Sequence, residues 1–490
     1  MLIKFSIKNF LKRDLKIDME QKGLVWIRED LRLESNTALI NASINHNKVS
    51  AIYLYNKEHF DNKREAQKWW ISKSLESLGS ELEKFNINLE IIFADELQFF
   101  SDIKDKNIFV YWNKVYEPFK LDLDKKIIKV LDYKKIEYKN FKGNILNEFQ
   151  TITKKDGTPF KVFSPFWRHA EQVYLDSIKP KEKKIRKLKK KIKIFSTNVS
   201  PKNILPKKNW YLKFENYWKV SEKESHNQLN KFLADRVFKY SNDRDFPSLN
   251  GSSKISPYLR NGLINVNTVW SQCSKLKNKN ISVRKYLNEL GWREFSHSLI
   301  NYFPEMLKGN LRKEFDKFPW EKNQKNLKAW KNGLTGYPIV DAGMRQMYET
   351  GWMHNRIRMV VGSFLVKHLR IDWKEGEKYF RNCLLDFNEA NNVAQWQWVA
   401  GCGADAAPYF RIFNPILQGE KFDKNGEYVK KWVPELKNCP TKYIHKPWEL
   451  DIKYQESLKI IIGKDYPAPI VVHEQARKKA LDAFHSLKRT

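Results

Sequence analysis

From Gly23 to residue 142 the chain alternates between apolar segments and amphipathic ones, and this alternation limits the folds open to it. Apolar runs that predict strands lie at 23–27, 49–56, 89–94, 107–113 and 136–142. Residues 35–46 open with a Ser/Asn cap signal, and residues 64–85 form a long amphipathic pattern, so both predict helices. Strands that alternate with helices in this way predict a parallel sheet covered by helices. The chain has no GxGxxG after the first strand and no P-loop motif, so no common NAD or ATP site is predicted.

From about Ser221 onward the apolar period is helical and Trp is frequent. Residues 151–220 separate this part from the first and are interpreted as a connector. The predicted fold class is therefore α/β plus all-α. The predicted units are 1–22 (an extension of unknown role), 23–150 (α/β), 151–220 (connector) and 221–490 (all-helical).

The net charge of +33 indicates a polyanionic partner, with nucleic acid favoured over acidic membranes. The alternative is a Lys-rich composition with no role in binding. The most basic segment, residues 179–193, reads KPKEKKIRKLKKKIK. A run of this kind is most often a solvated loop, and direct contact with DNA is the alternative.

The four cysteines, Cys273, Cys383, Cys402 and Cys439, show no CxxC spacing and have no accompanying His cluster. We therefore predict neither a metal site nor a disulfide framework, and cysteine use fits a reducing cytoplasm. No apolar run approaches the roughly 20 residues needed to cross a membrane, so no membrane association is predicted. Residues 1–22 lack the uninterrupted apolar region of a secretory signal.

The stretch from Gly351 to Phe422 combines many Trp and Arg residues with a polar run at 388–392. Its aromatic and basic members are Trp352, Trp373, Trp396, Trp398, Arg356, Arg358, Arg370 and Arg411. A helical core normally fills with Leu, Ile and Val, whereas a buried Trp needs a partner for its N–H. This composition indicates a large, flat, partly polar ligand between helices, and stacking surfaces for bases. An aromatic-rich core with no ligand is the alternative.

Four segments together resemble the flavin domain of the DNA photolyase/cryptochrome family. They are ELGWREF (289–295), TGWMHNRIRM (350–359), IDWKEGEKYF (371–380) and WQWVAGCGADAAPYFRIFNPILQGEKFD (396–423). The resemblance extends from about Gly23 to near the C-terminus and is strongest to bacterial class I members that repair cyclobutane pyrimidine dimers. It implies a Rossmann-like parallel-sheet domain joined by a long connector to an all-helical FAD-binding domain.

The segment SSKISPYLRNG (252–262) offers hydroxyl and backbone donors where a helix begins, which suits the diphosphate of a dinucleotide. A Ser-rich helix cap without a ligand is the common alternative. The resemblance adds a salt bridge between Arg358 and Asp386 beside the flavin ring, and an Asn392 side chain that faces flavin N5. Asn at that position favours a repair enzyme, whereas Asn388 departs from the Asp that the family often has. The FAD-binding residues it implies are Tyr240, Ser252, Ser253, Lys254, Ile255, Ser256, Tyr286, Trp352, Arg358, Asp386, Asn388 and Asn392.

Trp396, Trp373 and Trp320 match the family's relay of electrons from the protein surface to the flavin. The chemistry requires readily oxidised side chains in close succession. Ordinary core packing is the alternative for any one of them, and the match of all three favours the relay.

The resemblance also implies a pocket for a pyrimidine dimer that is flipped out of DNA. Its walls are Trp292 and Trp398, with Glu289 on the base edges, Asn355 and Met359 against the dimer, and Arg293, Arg356 and Arg411 on phosphates. Lys161 and Arg244 complete the implied DNA-binding set. The alternative for Glu289 is an ion pair with Arg293 at helical i,i+4 spacing. Met359 favours cyclobutane dimers, because enzymes for (6-4) photoproducts carry a His near this position.

The function implied is light-driven repair of cyclobutane pyrimidine dimers by reduced FAD, a carbon–carbon lyase reaction on UV-damaged DNA by a monomer. A cryptochrome-type blue-light photoreceptor is the alternative. The family's first domain holds an antenna chromophore. Here Phe119 and Lys120 replace the Asn and Glu of folate-binding relatives, so methenyltetrahydrofolate, a deazaflavin and no antenna all stay open.

Overall fold

The computed structural model describes residues 20–60, 64–177, 183–195, 197, 199–276, 280–409 and 411–487. Its five strands are β1 (Lys22–Ile27), β2 (Lys48–Leu54), β3 (Asn88–Ile92), β4 (Ile108–Asn113) and β5 (Glu137–Phe141). All neighbouring strands pair in parallel, in the order β3-β2-β1-β4-β5. The five predicted strands and the parallel sheet are confirmed, with bounds shifted by one or two residues.

Helices connect the strands and cover the sheet. They are α1 (Thr37–Asn45), α2 (Lys57–Phe60), α3 (Glu65–Glu83), α4 (Glu96–Asp102) and α5 (Pro118–Lys134). The connector contributes α6 (Phe163–Asp176) and short 3-10 turns at Phe149–Thr151, Pro201–Ile204 and Asn209–Asn216. The central strands β1, β2 and β4 are almost wholly buried, because helices pack on both faces of a parallel sheet.

The rest of the described chain is helical. It comprises α7 (Glu222–Ala234), α8 (Tyr240–Asp243), α9 (Ser256–Arg260), α10 (Val266–Ser274), α11 (Ile281–Tyr302), α12 (Gln324–Asn332), α13 (Pro338–Thr350), α14 (Asn355–Ser363), α15 (Trp373–Cys383), α16 (Glu389–Ala400), α17 (Pro415–Phe422), α18 (Glu427–Trp432), α19 (Ile452–Leu458) and α20 (His473–Ser486). A π-helical turn, Phe364–His368, continues α14. The first of these helices, α7, begins directly after Ser221, whose side chain caps it by accepting from the Glu224 N–H.

The carboxyl edge of the sheet meets the helical domain through buried polar contacts. Arg64, at the start of α3, forms an ion pair of 3.0 Å with Glu389, the first residue of α16. Arg260 at the end of α9 pairs with Glu29 and, at 3.3 Å, with Glu117. Breaking one partner of such a buried pair is strongly unfavourable, so these contacts hold the two domains in one arrangement.

None of the helices in the described ranges is both long and apolar enough to cross a membrane. The extension at residues 1–19 lies outside the described residues. The predicted domain boundaries stay predictions, although the sheet ends at Phe141 and the all-helical part starts at Glu222, close to them.

Candidate functional site

Helix α11 carries three predicted site residues on successive turns: Tyr286, Glu289 and Trp292. A spacing of three residues places them along one side of a helix. Tyr286 is buried, whereas Glu289 and Trp292 are half-buried. The ring of Tyr286 packs edge-on against Tyr240, with centroids 5.2 Å apart. The helix therefore connects the buried, predicted flavin side of the site with its more open, predicted lesion side.

Asp386 is the centre of a hydrogen-bonded group on the flavin side. Its carboxylate accepts from Arg358 Nη2 at 2.8 and 3.0 Å and from the Ser256 hydroxyl at 2.7 Å. The Ser256 hydroxyl in turn accepts from the Trp352 indole at 3.3 Å. The structure thus brings together four of the predicted FAD-binding residues and contains the expected Arg358–Asp386 salt bridge.

The loop of residues 252–255 differs from the prediction in one respect. Helix α9 has only five residues, so its dipole is a weak source of positive potential. Instead Lys254, held at a positive φ of 53°, lies near Lys431 and Arg236. Burial, followed by the charges of these two residues, lowers the pKa of Lys254. An anion at this point would relieve the repulsion, so the loop fits a diphosphate.

The remaining loop residues support this arrangement. Ser253 and Ile255 are buried, while Ser252 is half-buried. The Ser252 carbonyl accepts from Arg236 at 3.3 Å, and the Ser253 carbonyl accepts from Gln228 at 2.7 Å. Sequence reasoning missed Arg236 and Lys431, because neither lies in a segment that carries the resemblance.

Asn388 and Asn392 belong to the first turns of α16. The Asn388 side chain accepts from the Asn391 N–H at 3.0 Å and caps the helix. Because Asn caps as well as Asp, the departure from the family pattern leaves this helix end intact. Asn392 donates through Nδ2 to the Glu377 carboxylate at 3.0 Å, so its amide oxygen points away from Glu377. Glu377, whose pKa is raised mainly by burial, is therefore a further residue that sequence reasoning missed.

The three predicted relay residues follow one another through the start of α15. The ring of Trp396 packs directly on Gly376, so closely that a Cβ added at Gly376 would lie 2.2 Å from the Trp396 ring. Gly376 is one helical turn from Trp373. Trp373 is buried and donates to Asn310 at 2.8 Å. Trp320 is half-buried, and the next residue, Glu321, donates its N–H at 2.7 Å to the carbonyl of Arg370. Burial thus decreases from Trp373 to Trp320.

Glu289 pairs with Arg244, and this contact replaces the alternative pair with Arg293 that helical spacing suggested. Asp245 extends the group, because its carboxylate accepts from Arg356 Nη2 at 2.7 Å. The guanidinium of Arg244 also lies over the Tyr240 ring, 5.1 Å from its centroid. These contacts bring Glu289, Arg244 and Arg356 into one charged group beside the flavin-side residues. Asp245 is a member that the sequence did not reveal.

The other predicted lesion contacts lie on α14, α16 and two loops. Asn355 is exposed and Met359 half-buried, one turn apart on α14, and Trp398 is half-buried on α16. Arg411 is exposed, and its carbonyl accepts from the buried Lys367 at 3.0 Å. Lys161 is exposed and lies 4.9 Å from the centroid of the Phe303 ring.

The structure does not bring Arg293 to this group. Its guanidinium donates to Glu294 at 2.7 Å and to the Asn144 carbonyl at 2.6 Å, at the junction of the two domains. Leaving these partners for a phosphate would expose a buried carboxylate without a counter-charge. We therefore correct the prediction: Arg293 holds the domains together and is not carried into the DNA-binding set.

Besides the predicted lesion pocket, the protein has a second cleft, of about 630 Å³, at the carboxyl edge of the sheet. Its lining includes Arg28, Glu117 and Lys120, together with Trp26 and Tyr53. Lys120, one of the two residues that depart from the folate-binding pattern, forms an ion pair of 2.6 Å with Glu96. Phe119, the other, is partly exposed on α5 and is not among the lining residues. The cleft is the candidate site for an antenna chromophore.

Comparison with known proteins identifies both halves of the chain. Residues 23–185 match the family model described as DNA photolyase, and residues 286–486 match the FAD binding domain of DNA photolyase. A deoxyribodipyrimidine photo-lyase of Agrobacterium fabrum is 40% identical over 475 residues, which cover 95% of this chain and 98% of the relative.

Two solved structures share almost the entire fold. A bacterial class III photolyase from Agrobacterium tumefaciens is 38% identical and superposes with a TM-score of 0.89, covering 98% of this chain and 100% of that one. A Synechocystis cryptochrome is 28% identical, with a TM-score of 0.84 over 94% of this chain and 99% of that one.

Proposed function

Because the chain belongs to the DNA photolyase/cryptochrome family, we propose that it uses light to split cyclobutane pyrimidine dimers in DNA. The observation that carries this proposal is the sequence of residues along α11. Tyr286 lies on the side of the predicted flavin residues, and Glu289 and Trp292 follow on the next two turns towards the open side. A lesion held by Glu289 and Trp292 would therefore lie next to the flavin.

The match to an FAD-binding domain and the contacts of Asp386 both support the proposed cofactor site. Arg358, Asp386 and Ser256 would hold the ring region, and the cationic loop around Lys254 would hold the diphosphate. The buried indole N–H of Trp396 has no acceptor among the described residues, and this donor is also consistent with a bound group. When bound in its reduced form, FAD supplies a light-absorbing one-electron donor.

The lesion reaches the pocket by flipping out of the duplex, which is easier for damaged pairs because they are weakly stacked. Trp292 and Trp398 would form its apolar walls, and Glu289 would accept hydrogen bonds from the base edges. Arg244 orients the Glu289 carboxylate through their ion pair. Two carbon–carbon bonds of the dimer break and both pyrimidines are restored, with no net redox change.

Arg356, Arg411 and Lys161 are proposed to bind phosphates around the flipped dimer. Such contacts position the DNA without reading its sequence. Arg356 is held by Asp245 and lies over the Phe422 ring at 4.4 Å, so its orientation is fixed before DNA arrives.

Two residues support cyclobutane dimers over (6-4) photoproducts as the substrate. Met359 occupies the position where the resemblance implies a proton-donating His in (6-4) enzymes. Burial lowers the pKa of His354, the nearest His in the chain, to about 4, so this side chain is neutral at pH 7. The class I assignment stays a prediction, since one of the similar structures is described as a class III photolyase.

We also propose that Trp320, Trp373 and Trp396 return oxidised flavin to its reduced state in light, and that the second cleft holds an antenna. The lining residues Arg28 and Glu117 present buried polar groups suited to a ring with both donors and acceptors. This pattern fits methenyltetrahydrofolate and deazaflavin alike.

The protein is proposed to act as a monomer in the cytoplasm, in agreement with four buried free cysteines.

A cryptochrome-type photoreceptor is the second candidate, supported by the similarity to the Synechocystis cryptochrome. The two functions make different demands on Asn392 and on Glu289. A photoreceptor needs the flavin and its neighbours but has no need of a carboxylate aimed at DNA bases.

The proposed function is tested with purified protein, reduced flavin and an oligonucleotide that contains one thymine dimer. Blue or near-ultraviolet light should restore intact thymines, whereas a dark sample and a (6-4) oligonucleotide should remain unchanged. Glu289→Ala should lower repair per absorbed photon roughly 10-fold or more, because it removes hydrogen bonds to a charged group, and should leave FAD content unchanged. Bound, photoreducible FAD without repair would reject the lyase in favour of the photoreceptor.

A further inference from the structure

Residues 183–195 have no regular secondary structure, yet their backbone is fixed against the α/β domain. The Leu188 N–H donates to the Phe85 carbonyl at 3.0 Å, and its carbonyl accepts from the Asn86 side chain at 2.6 Å. Further along, the Ile194 and Phe195 N–H groups donate to the Glu90 carboxylate at 3.0 and 2.9 Å. The segment is therefore held at several points along its length.

The side chains of this segment divide into an inner and an outer set. Leu188 is buried, and Arg186 binds the carbonyls of Ser43 and His46, each at 2.6 Å. The outer set consists of exposed lysines, which we call the lysine stripe: Lys183, Lys184, Lys187, Lys189, Lys190, Lys191 and Lys193. The fold thus uses Arg186 as a structural anchor and presents the lysines to solvent.

The lysine stripe has little compensating negative charge. Residues 183–193 contain no Asp or Glu. In the part of the chain that the structure describes, the only ion pair of the stripe joins Lys191 to Glu83 at 2.8 Å. Glu90, the other nearby carboxylate, is turned inward by its bonds to the backbone. Like charges on a fixed backbone repel each other, and a polyanion would relieve this repulsion.

The dimensions and composition of the lysine stripe favour duplex DNA over a membrane. Eleven residues span at most about 36–40 Å when fully extended, so the lysine stripe can follow up to about one turn of a DNA duplex, about 34 Å. A membrane-binding segment also needs exposed apolar anchors. Here Leu188 is buried, and Ile185 and Ile192 are half-buried.

We propose that the lysine stripe is a second DNA-binding surface, which contacts phosphates of undamaged duplex and is separate from the lesion pocket. Arg186 attaches it beside the residues that precede β2, at the amino edge of the sheet. The pocket residues lie on helices that meet the opposite, carboxyl edge. The stripe would hold the protein on DNA during the search for lesions, and this binding needs neither light nor flavin chemistry.

The test compares two triple variants of the complete flavoprotein. Lys187→Ser/Lys189→Ser/Lys190→Ser alters the stripe, and Lys453→Ser/Lys464→Ser/Lys478→Ser removes the same charge from exposed positions elsewhere. Affinity for an undamaged duplex of about 40 base pairs is measured from 50 to 200 mM salt. Each phosphate contact contributes about 0.9 to the slope of log K against log salt. The slope of the stripe variant should be smaller in magnitude by about 2.7. Raising the salt from 50 to 200 mM weakens the binding of each protein by some factor, and this factor should be about 40 times smaller for the stripe variant than for the unmodified protein.

The control variant should keep the original slope, and replacing the same three stripe lysines with Arg should also keep it. Equal slopes for the stripe and control variants would overturn the proposal, since net charge alone would then explain the binding. Light-driven repair of a short single-stranded dimer oligonucleotide should be unchanged in the stripe variant. Vesicles with 30% anionic lipid serve as a further probe. The proposal would also be overturned if the unmodified protein bound these vesicles and the stripe variant did not, while the salt dependence of duplex binding was the same for both.

Discussion

Phe163 lies flat on Trp292, with ring centroids 3.7 Å apart and ring planes within 7° of parallel. Phe163 begins α6 in the connector, and its N–H donates to Asp405 at 3.2 Å. One face of Trp292 is therefore covered by the connector, and a base can stack only on the other face. The sequence analysis assigned no role to Phe163.

Replacing Phe163 with Ala should weaken binding of a dimer-containing oligonucleotide about threefold to tenfold, because an aromatic pair contributes about 0.5–1.5 kcal/mol. Trp292 would then be free to leave the orientation in which it meets the lesion. The measurement is the dissociation constant in the dark, with FAD content as a check on folding. Phe163→Tyr keeps the stacked ring and should bind normally. Equal affinities for the Ala and Tyr variants would exclude a positioning role.

Asp386→Ala should lower FAD affinity at least about tenfold, since it removes the carboxylate that pairs with Arg358 and accepts from the Ser256 hydroxyl. The ratio of flavin to protein absorbance after gel filtration reports the loss. Asp122→Ala breaks an exposed pair with Lys125 and serves as the matched control. Full retention of FAD by Asp386→Ala would show that this carboxylate lies outside the flavin site.

Trp373→Phe should slow light-driven reduction of oxidised flavin by more than about tenfold, because Phe is much harder to oxidise than Trp. The change also removes the indole donor to Asn310, so thermal unfolding is recorded in parallel. Bleaching of the flavin band in blue light with an external thiol gives the rate. Trp270→Phe replaces an equally buried Trp near Trp167 and Tyr174 and should leave the rate unchanged. Repair by chemically reduced protein should persist in both variants.

Lys367 should make the folded state more stable as the pH rises from about 7 to 10. Burial, followed by the charge of Arg411, lowers the pKa of Lys367 to about 7, whereas the unfolded chain keeps the ordinary value near 10.5. Between these values the unfolded state binds more protons. Stability therefore increases with pH, by at most about 1.4 kcal/mol per pH unit.

Chemical denaturation at several pH values checks this for Lys367→Met. The free energy of unfolding of the unmodified protein, relative to that of Lys367→Met, should increase with pH across this window. Lys374→Met, at an exposed position on α15, should show no such trend. Parallel stability curves for the unmodified protein and Lys367→Met would mean that Lys367 is hydrated in the folded state.

Local pattern was sufficient for the elements of the fold. Apolar runs predicted the central strands β1, β2 and β4, because each of them is buried on both faces and must be apolar throughout. The same holds for α7, whose Ser221 cap is a local interaction that the sequence displays directly. Motif resemblance also predicted the Arg358–Asp386 pair, which the structure contains.

Long-range partners that the resemblance did not supply were beyond the reach of the sequence. Helical spacing suggested that Glu289 pairs with Arg293, but Arg244 takes that place and Arg293 turns to Glu294 at the domain junction. Spacing along a helix predicts which side chains can meet on that helix. It does not predict the charged side chains of other elements that pack closer to them in the folded protein.

The sequence by itself determined the α/β and helical parts and the family, and it supplied the candidate flavin and lesion residues as types of side chain at motif positions. Only the tertiary structure decided which of them share a partner, how Lys254, Lys431 and Arg236 combine, and that Phe163 covers one face of Trp292. The physical reason is that secondary structure follows from interactions within a few residues of the chain. The charge balance and stacking at a site depend on groups that are distant in the chain and meet only when the core has closed.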